Sequence, residues 1–318
     1  MQNITHKNLE VELVHASLAQ PVLLDIWAPW CGPCKTLGPT LEKLEVAYAG
    51  RFKLVKLNAD EEPEIAQQLS QMFGVRSIPF CVLFKDGQPV DGFVGALPEP
   101  EVRKFLDKHV QSAEEQASDE DHQAAEEALA EGDTDAALDR LQAALATNPA
   151  NDTARYDYLR ALLRAGRVGE ARAAFDPVAA NPVLDQRLVA AGHWIAAIEA
   201  APKARPRDTL EAHVAANKRD FDARFELAQS HFAKGEMTQA MDELLEILMR
   251  DKGWKDELAR KTYVAILQLM TKAAPQSAKV DPGAPAKGTL EVTGKAAVQA
   301  PGDPVVDAYR RKLSMTLF

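Results

Sequence analysis

Six residues, Val22-Leu23-Leu24-Asp25-Ile26-Trp27, form an apolar run broken by one acid, and after three further residues the chain reads Cys31-Gly32-Pro33-Cys34. Beyond that pair, Leu37, Leu41, Leu44 and Tyr48 recur at spacings of four, three and four. The short apolar run predicts a buried strand, and the recurrence predicts an amphipathic helix. The cysteines therefore stand where a strand hands over to a helix N-terminus, which demands an α/β layer there. Free backbone N–H groups and the helix dipole at such an end favour a negatively charged sulfur. The thiolate is the nucleophile of disulfide exchange, so Cys31 is the candidate nucleophile. Cys34, one turn later on the same face, is the candidate resolving residue.

Other uses of the pair are less well supported. Three cysteines cannot build a disulfide framework. A zinc site usually takes four ligands, yet there is no second Cys-x-x-Cys, Cys81 stands alone and the histidines show no ligand spacing. We therefore expect no metal and no cofactor. Asp25, and Lys56 within Leu54-Val55-Lys56-Leu57, each interrupt an apolar strand. An unpaired charge is costly there, so both are expected to be buried with a functional shift in protonation. Cys81 reads as a small core residue of a strand.

Residues 1–111 alternate β-rich runs with helical ones: Val22–Trp27, Leu41–Tyr48, Phe52–Asn58, Ile65–Met72, Phe80–Phe84, Val90–Val94 and Val102–Val110. The turn Lys85-Asp86-Gly87-Gln88 carries an Asp-Gly hairpin signal, which makes the last two strands antiparallel and the sheet mixed. Residues 112–121 are acidic, with Glu114, Glu115, Asp119, Glu120 and Asp121. They fit a linker passing into a helix and, equally, the solvated face of that helix.

From 122 to 272 alanine, leucine, arginine and glutamate dominate. Gly132 and Gly166 lie 34 positions apart, as do Ala137 and Ala171, and Gly235 and Ala240 follow 69 positions later. That is the period of a tetratricopeptide repeat with one degenerate unit around His193–Arg219. The glycine is expected to end the first helix of each pair, and the alanine to let the second pack closely. Residues 273–303 are rich in proline, alanine and glycine and are expected to be a disordered tether. In the final segment, 304–318, Asp303 can cap a helix and Pro304 suits its first turn. Val306, Tyr309, Leu313 and Leu317 then form an apolar stripe. This stripe serves either as a cap on the last repeat or as a partner-docking face, and the two roles are compatible.

The formal net charge of −10 disfavours attraction to nucleic acid or anionic lipid. No apolar stretch reaches the roughly 20 residues of a spanning helix, and the N-terminal residues carry no secretory pattern. Protein partners and a cytoplasmic location are the expectation.

The stretch Trp30-Cys31-Gly32-Pro33-Cys34-Lys35 after a strand with an acid in it resembles thioredoxin, and the resemblance covers roughly residues 1–111. It implies that Asp25 accepts a proton from the second cysteine and that Lys56 is its partner. It also implies a substrate groove formed by Trp30, Gly32, Pro33, the cis step Ile78-Pro79 and Gly95, and it matches Pro39 to a proline that kinks the active-site helix. Phe80 departs from the family, which usually has a small hydroxyl residue there, and a bulky ring is expected at the groove.

The implied architecture is multidomain: an N-terminal α/β thioredoxin fold with a central mixed sheet flanked by helices, then an all-α tetratricopeptide-like helical repeat domain. The whole chain resembles the YbbN/CnoX-type co-chaperones, or chaperedoxins. The run Ser77-Ile78-Pro79 to Gln88-Pro89-Val90-Asp91-Gly92-Phe93 and the closing Tyr309-Arg310-Arg311-Lys312-Leu313 carry that likeness. The resemblance implies a redox-competent holdase for unfolded client proteins that protects or reduces their cysteines. It further implies transfer to the GroEL and DnaK systems, docking through the final helix, and thioredoxin reductase as a reducing partner. The alternative is a protein-disulfide reductase whose repeats only select substrates.

Overall fold

A computed structural model describes residues 2–271 and 303–317. Apart from Asp303, the expected tether at 273–303 lies outside the described residues. The chain divides into two compact units, Met1–Glu120 and Asp121–Phe318.

The first unit is built on a five-stranded sheet of order β1-β3-β2-β4-β5. Its strands are β1 (Gln2–Asn3), β2 (Val22–Trp27), β3 (Lys53–Asn58), β4 (Phe80–Lys85) and β5 (Gln88–Val94). β3 runs parallel to β1 and β2, whereas β4 runs antiparallel to β2 and β5, so the sheet is mixed as expected. Asp86 and Gly87 both take positive φ, +54° and +77°. That conformation suits a two-residue hairpin, because it matches the twist of the flanking strands.

Strand alternation sorts the core onto two faces. Leu24, Ile26, Val55, Leu57, Phe80 and Val82 pack with Ile65 and Leu69 of α2 (Pro63–Phe73). Leu23, Leu54, Cys81 and Leu83 pack with Leu37, Leu41 and Leu44 of α1 (Gly32–Ala47) and with Val102 and Leu106 of α3 (Glu99–Leu106). Pro39 lies within α1. The Phe80 ring is not at the groove: it is 2% exposed and meets Phe73 edge-on at 5.6 Å between centroids. Alternation along β4 sends residue 80 to the α2 face, and burial of a phenyl ring is worth roughly 2 kcal/mol.

The acidic stretch after Gln111 is helical from Ala113, in α4 (Ala113–Glu131). A reciprocal cap starts it: the Ser112 N–H donates to Glu115 Oε2 at 2.7 Å, and the Glu115 N–H donates to Ser112 Oγ at 3.0 Å. Of the two readings open for residues 112–121, the solvated helix face is therefore the one the structure has from residue 113 onward.

Among the described residues, the regular elements of the second unit are all helices. α5 (Thr134–Thr147), α6 (Asp152–Arg164), α7 (Val168–Phe175), α8 (Gln186–Ala200), α9 (Arg207–Ala216), α10 (Phe221–Ala233), α11 (Met237–Leu248), α12 (Trp254–Met270) and α13 (Pro304–Leu317) follow α4 in order. Gly132, Gly166 and Gly235 sit just past α4, α6 and α10 with φ of +85°, +73° and +76°, the left-handed stop that glycine adopts at least cost. Ala137, Ala171 and Ala240 are 0% exposed on the helices that follow. The unit between, α8 and α9, turns through Ala201–Lys203 with no glycine, which is why it looks degenerate in sequence.

Candidate functional site

β2 ends at Trp27, and the loop after it places Cys31 as the N-cap of α1, with φ −77° and ψ 105°. The Cys34 backbone N–H donates to Cys31 Sγ at 3.2 Å, so the sulfur occupies the acceptor position normally filled by a capping oxygen. An acceptor there is stabilised when negatively charged by the same unpaired N–H groups. Gly32 and Pro33 form the first turn and bring the two cysteines together as a disulfide, with Cα atoms 5.3 Å apart. The two cysteines, each 4% exposed, form a small buried cluster with Ala28, against which Trp27 and Ile78 pack. Trp30 stands beside them 70% exposed, its Nε1–H donating to Asp60 Oδ1 at 3.1 Å. The Ile78-Pro79 peptide is cis, and the Gly95 N–H donates to the Pro79 carbonyl at 2.8 Å. Among the predicted groove residues, Ile78 packs against the cluster that holds the disulfide, and Gly95 anchors Pro79.

On the α1 face of the sheet, Asp25 pairs in register with Lys56 on β3 and with Cys81 on β4. Asp25 is 2% exposed and its carboxyl is pushed up from 3.8 to about 6, chiefly by burial. The nearby Lys56 charge and a hydrogen bond from Cys81 oppose that rise, and Glu42 adds to it. Cys81 Sγ lies 3.8 Å from Asp25 Oδ1, and burial holds its thiol well above the usual range. Lys56 departs from the expected arrangement: its ion pair is with Glu42 Oε1, at 2.7 Å, and it acts on Asp25 only through space. Its stem is half-buried under α1, and its ammonium reaches outward to the acid that solvent can also serve.

A family model described as Thioredoxin matches residues 1–108. Thioredoxin 1 of Synechococcus elongatus is 43% identical over 107 residues, covering 94% of that protein and 34% of this chain. The thioredoxin of Haemophilus influenzae is 43% identical over 111 residues, covering 100% of that protein and 35% of this chain. The chain belongs to the thioredoxin family. Two further models, both described as Tetratricopeptide repeat, match residues 128–193 and 200–280. The chain is a thioredoxin–tetratricopeptide fusion, with a redox-active cysteine pair and thioredoxin-like disulfide oxidoreductase activity.

The thioredoxin domain also uses residues that the sequence reading passed over. Asp60 holds Trp30 from thirty positions away, and Glu42 captures Lys56; no periodic pattern links either pair. Gly92 had a readable signal, a glycine inside a strand. A Cβ at this position would lie 2.7 Å from the Cys81 carbonyl oxygen.

The apolar stripe of α13 is occupied within its own unit. Val306 and Tyr309 are 2% and 7% exposed, and with Leu313 they pack on α11 and α12. The Tyr263 O–H donates to the Tyr309 carbonyl at 2.8 Å, and the Tyr309 O–H donates to Asp242 Oδ1 at 3.0 Å. Leu317 is half-buried, and its carbonyl accepts from Lys252 Nζ at 2.9 Å. In this arrangement Val306 and Tyr309 are closed to a partner, because the same apolar atoms cannot cover two surfaces. Among the described residues no helix is long and apolar enough to cross a membrane.

Proposed function

We propose that the chain is a redox-competent holdase: its repeats retain unfolded proteins while its dithiol protects or reduces their cysteines. The observation that carries this reading is the presence, in one chain, of a thioredoxin dithiol beside an exposed Trp30 and of helix pairs of a fold that binds protein segments. In this reading the Cys31 thiolate attacks a client disulfide, forming a mixed disulfide and releasing one client thiolate. The Cys34 thiol then gives its proton to Asp25 and attacks the Cys31 sulfur. The Cys31–Cys34 disulfide forms and the second client thiolate leaves. Lys56 moderates the acidity of Asp25, and Trp30, Gly32, Pro33, Ile78, Pro79 and Gly95 line the groove that takes the client chain. Transfer of clients to GroEL and DnaK, recycling by thioredoxin reductase and a cytoplasmic setting follow from the chaperedoxin resemblance and belong to this proposal.

Insulin reduction run beside suppression of aggregation, on wild type and Cys31→Ser, tests it. Holding retained and reduction lost in Cys31→Ser is the expected result; wild type that suppresses no aggregation rejects the holdase. The alternative reading is a protein-disulfide reductase whose repeats only select substrates, and wild type that reduces insulin without suppressing aggregation favours it. The burial of Val306 and Tyr309 separately favours α13 as a cap over a docking face, and deleting residues 305–318 separates those two roles. Loss of chaperonin binding with intact helical signal supports docking, and cooperative loss of the helical signal supports the cap.

A further inference from the structure

The row Lys56, Asp25 and Cys81 across β3, β2 and β4 has one member without a part in the chemistry above. Cys81 is 0% exposed and lies directly across the β2–β4 ladder from Asp25, with its sulfur 3.8 Å from the carboxylate. We propose that Cys81 is a positioning residue for disulfide exchange: its S–H donates to the Asp25 carboxylate, orienting it and setting the pH range in which it takes the Cys34 proton. The proposal rests on the reading of Asp25 as the proton acceptor.

The geometry leaves the thiol only this direction of bonding. Burial and the neighbouring carboxylate keep Cys81 protonated wherever Asp25 titrates, so sulfur supplies the hydrogen and oxygen accepts it. A donor to the ionised form favours that form, against the burial that raises Asp25. The titratable groups acting on Asp25 are Lys56 on β3, Cys81 on β4 and Glu42 on α1. Lys56 is turned to Glu42, at 2.7 Å. Among the described residues, the Cys81 thiol is therefore the only side-chain donor in hydrogen-bond contact with the Asp25 carboxylate. The backbone around Cys81 has little freedom to withdraw, because Gly92 of β5 approaches the Cys81 carbonyl too closely to admit a Cβ. An aliphatic residue at 81 would fill the core equally well and leave the carboxylate without a donor.

The test uses the full oxidised chain, in which the disulfide does not titrate and the Asp25 side-chain carboxyl carbon reports its ionisation by NMR. Cys81→Val keeps the site filled and removes the donor, Cys81→Ala removes the donor and leaves space, and Cys81→Ser keeps a hydroxyl donor. The midpoint is expected to rise by about half a pH unit or more in Val and Ala, with Ser at or below wild type. The low-pH limb of insulin reduction by the reduced chain should move with it. Equal midpoints in wild type, Val and Ala overturn the proposal, as does a rise confined to Ala, which reports a cavity. A midpoint that moves while the activity profile stands still overturns the assignment of Asp25 and with it the positioning role. Unchanged midpoints with intact activity overturn the Cys81 role alone.

Discussion

The two units bury polar groups under contrasting terms. In the thioredoxin domain, Asp25 is sealed beside a weak thiol donor and a lysine committed to Glu42, and its carboxyl rises to about 6. In the repeat unit, the Tyr263 and Tyr309 hydroxyls have good acceptors, and the Arg155 guanidinium donates to the carbonyls of Ala174 at 2.8 Å and Pro149 at 2.7 Å although its Nε–H finds no partner. Burial pushes Tyr309 up to about 12 and Tyr263 further in the same direction, so neither changes charge near neutrality. A buried hydroxyl given an acceptor stays neutral and serves as scaffold. A buried carboxyl short of donors has its protonation change moved toward neutrality.

The largest expected effect divides the units outright. Cys31→Ser removes the sulfur proposed to form the mixed disulfide, and insulin reduction is expected to fall by at least about 1,000-fold. The helical thermal transition should not move. A lowered transition would break the separation, because a change of charge at the dithiol would then be felt by the scaffold.

Tyr309→Ala reverses the test. It deletes a buried ring that packs with Val306 and Leu313 and bonds Asp242, at a cost of about 3–5 kcal/mol to the repeat unit. Tyr309→Phe, which loses only the hydroxyl bond, costs about 1 kcal/mol. Urea titration followed by far-UV circular dichroism reads both. Insulin reduction should match wild type in each, and a reduced rate would show that the scaffold tunes the site.

Much of this was legible in the sequence because local chemistry dictated it. The run Val22–Trp27, the spacing of Leu37, Leu41 and Leu44, the Asp86-Gly87 turn and the glycines at 132, 166 and 235 each need only a few neighbouring residues. So does the burial of Asp25, since a charge inside an apolar strand announces itself. What escaped depended on contacts between distant segments: Asp60 on Trp30, Glu42 on Lys56, and Cys81 on Asp25. Phe80 adjoins Pro79 in sequence but not at the groove, because strand alternation turns its ring to the other face of the sheet. The stripe Val306, Tyr309, Leu313 is legible as one face of an amphipathic helix, but periodicity states that a face is apolar and not what covers it.

Asp25 also supplies the pH dependence. Its folded value of about 6 lies above the ordinary 3.8. As pH rises between them, the unfolded chain releases its proton first, and the fold must hold one that the unfolded state gives up. Stability of the thioredoxin domain should therefore fall by on the order of 3 kcal/mol between about pH 4 and pH 6 and remain lower above. Asp25→Ala removes that slope. Urea titrations read from β2 and β4 amide signals should show a gain of about 2–3 kcal/mol at pH 7.5 and none at pH 4. A gain of equal size at both values would assign the effect to packing instead of ionisation.

The smallest effect compares one residue type across the units. A Cβ at Gly32 and at Gly166 would each meet nothing within 4 Å, so neither substitution is opposed by a clash. Gly166 nevertheless has φ of +73°, whereas Gly32 begins α1 without a left-handed backbone. Gly166→Ala is expected to destabilise the repeat unit by about 1 kcal/mol through backbone conformation alone. Gly32→Ala should leave the thioredoxin domain within about 0.5 kcal/mol of wild type, since alanine is the better helix former. Urea midpoints read separately for the two units decide it. Equal costs would mean that Gly32 is held by something other than its own conformation, and the dithiol turn would then be scaffold as well as site.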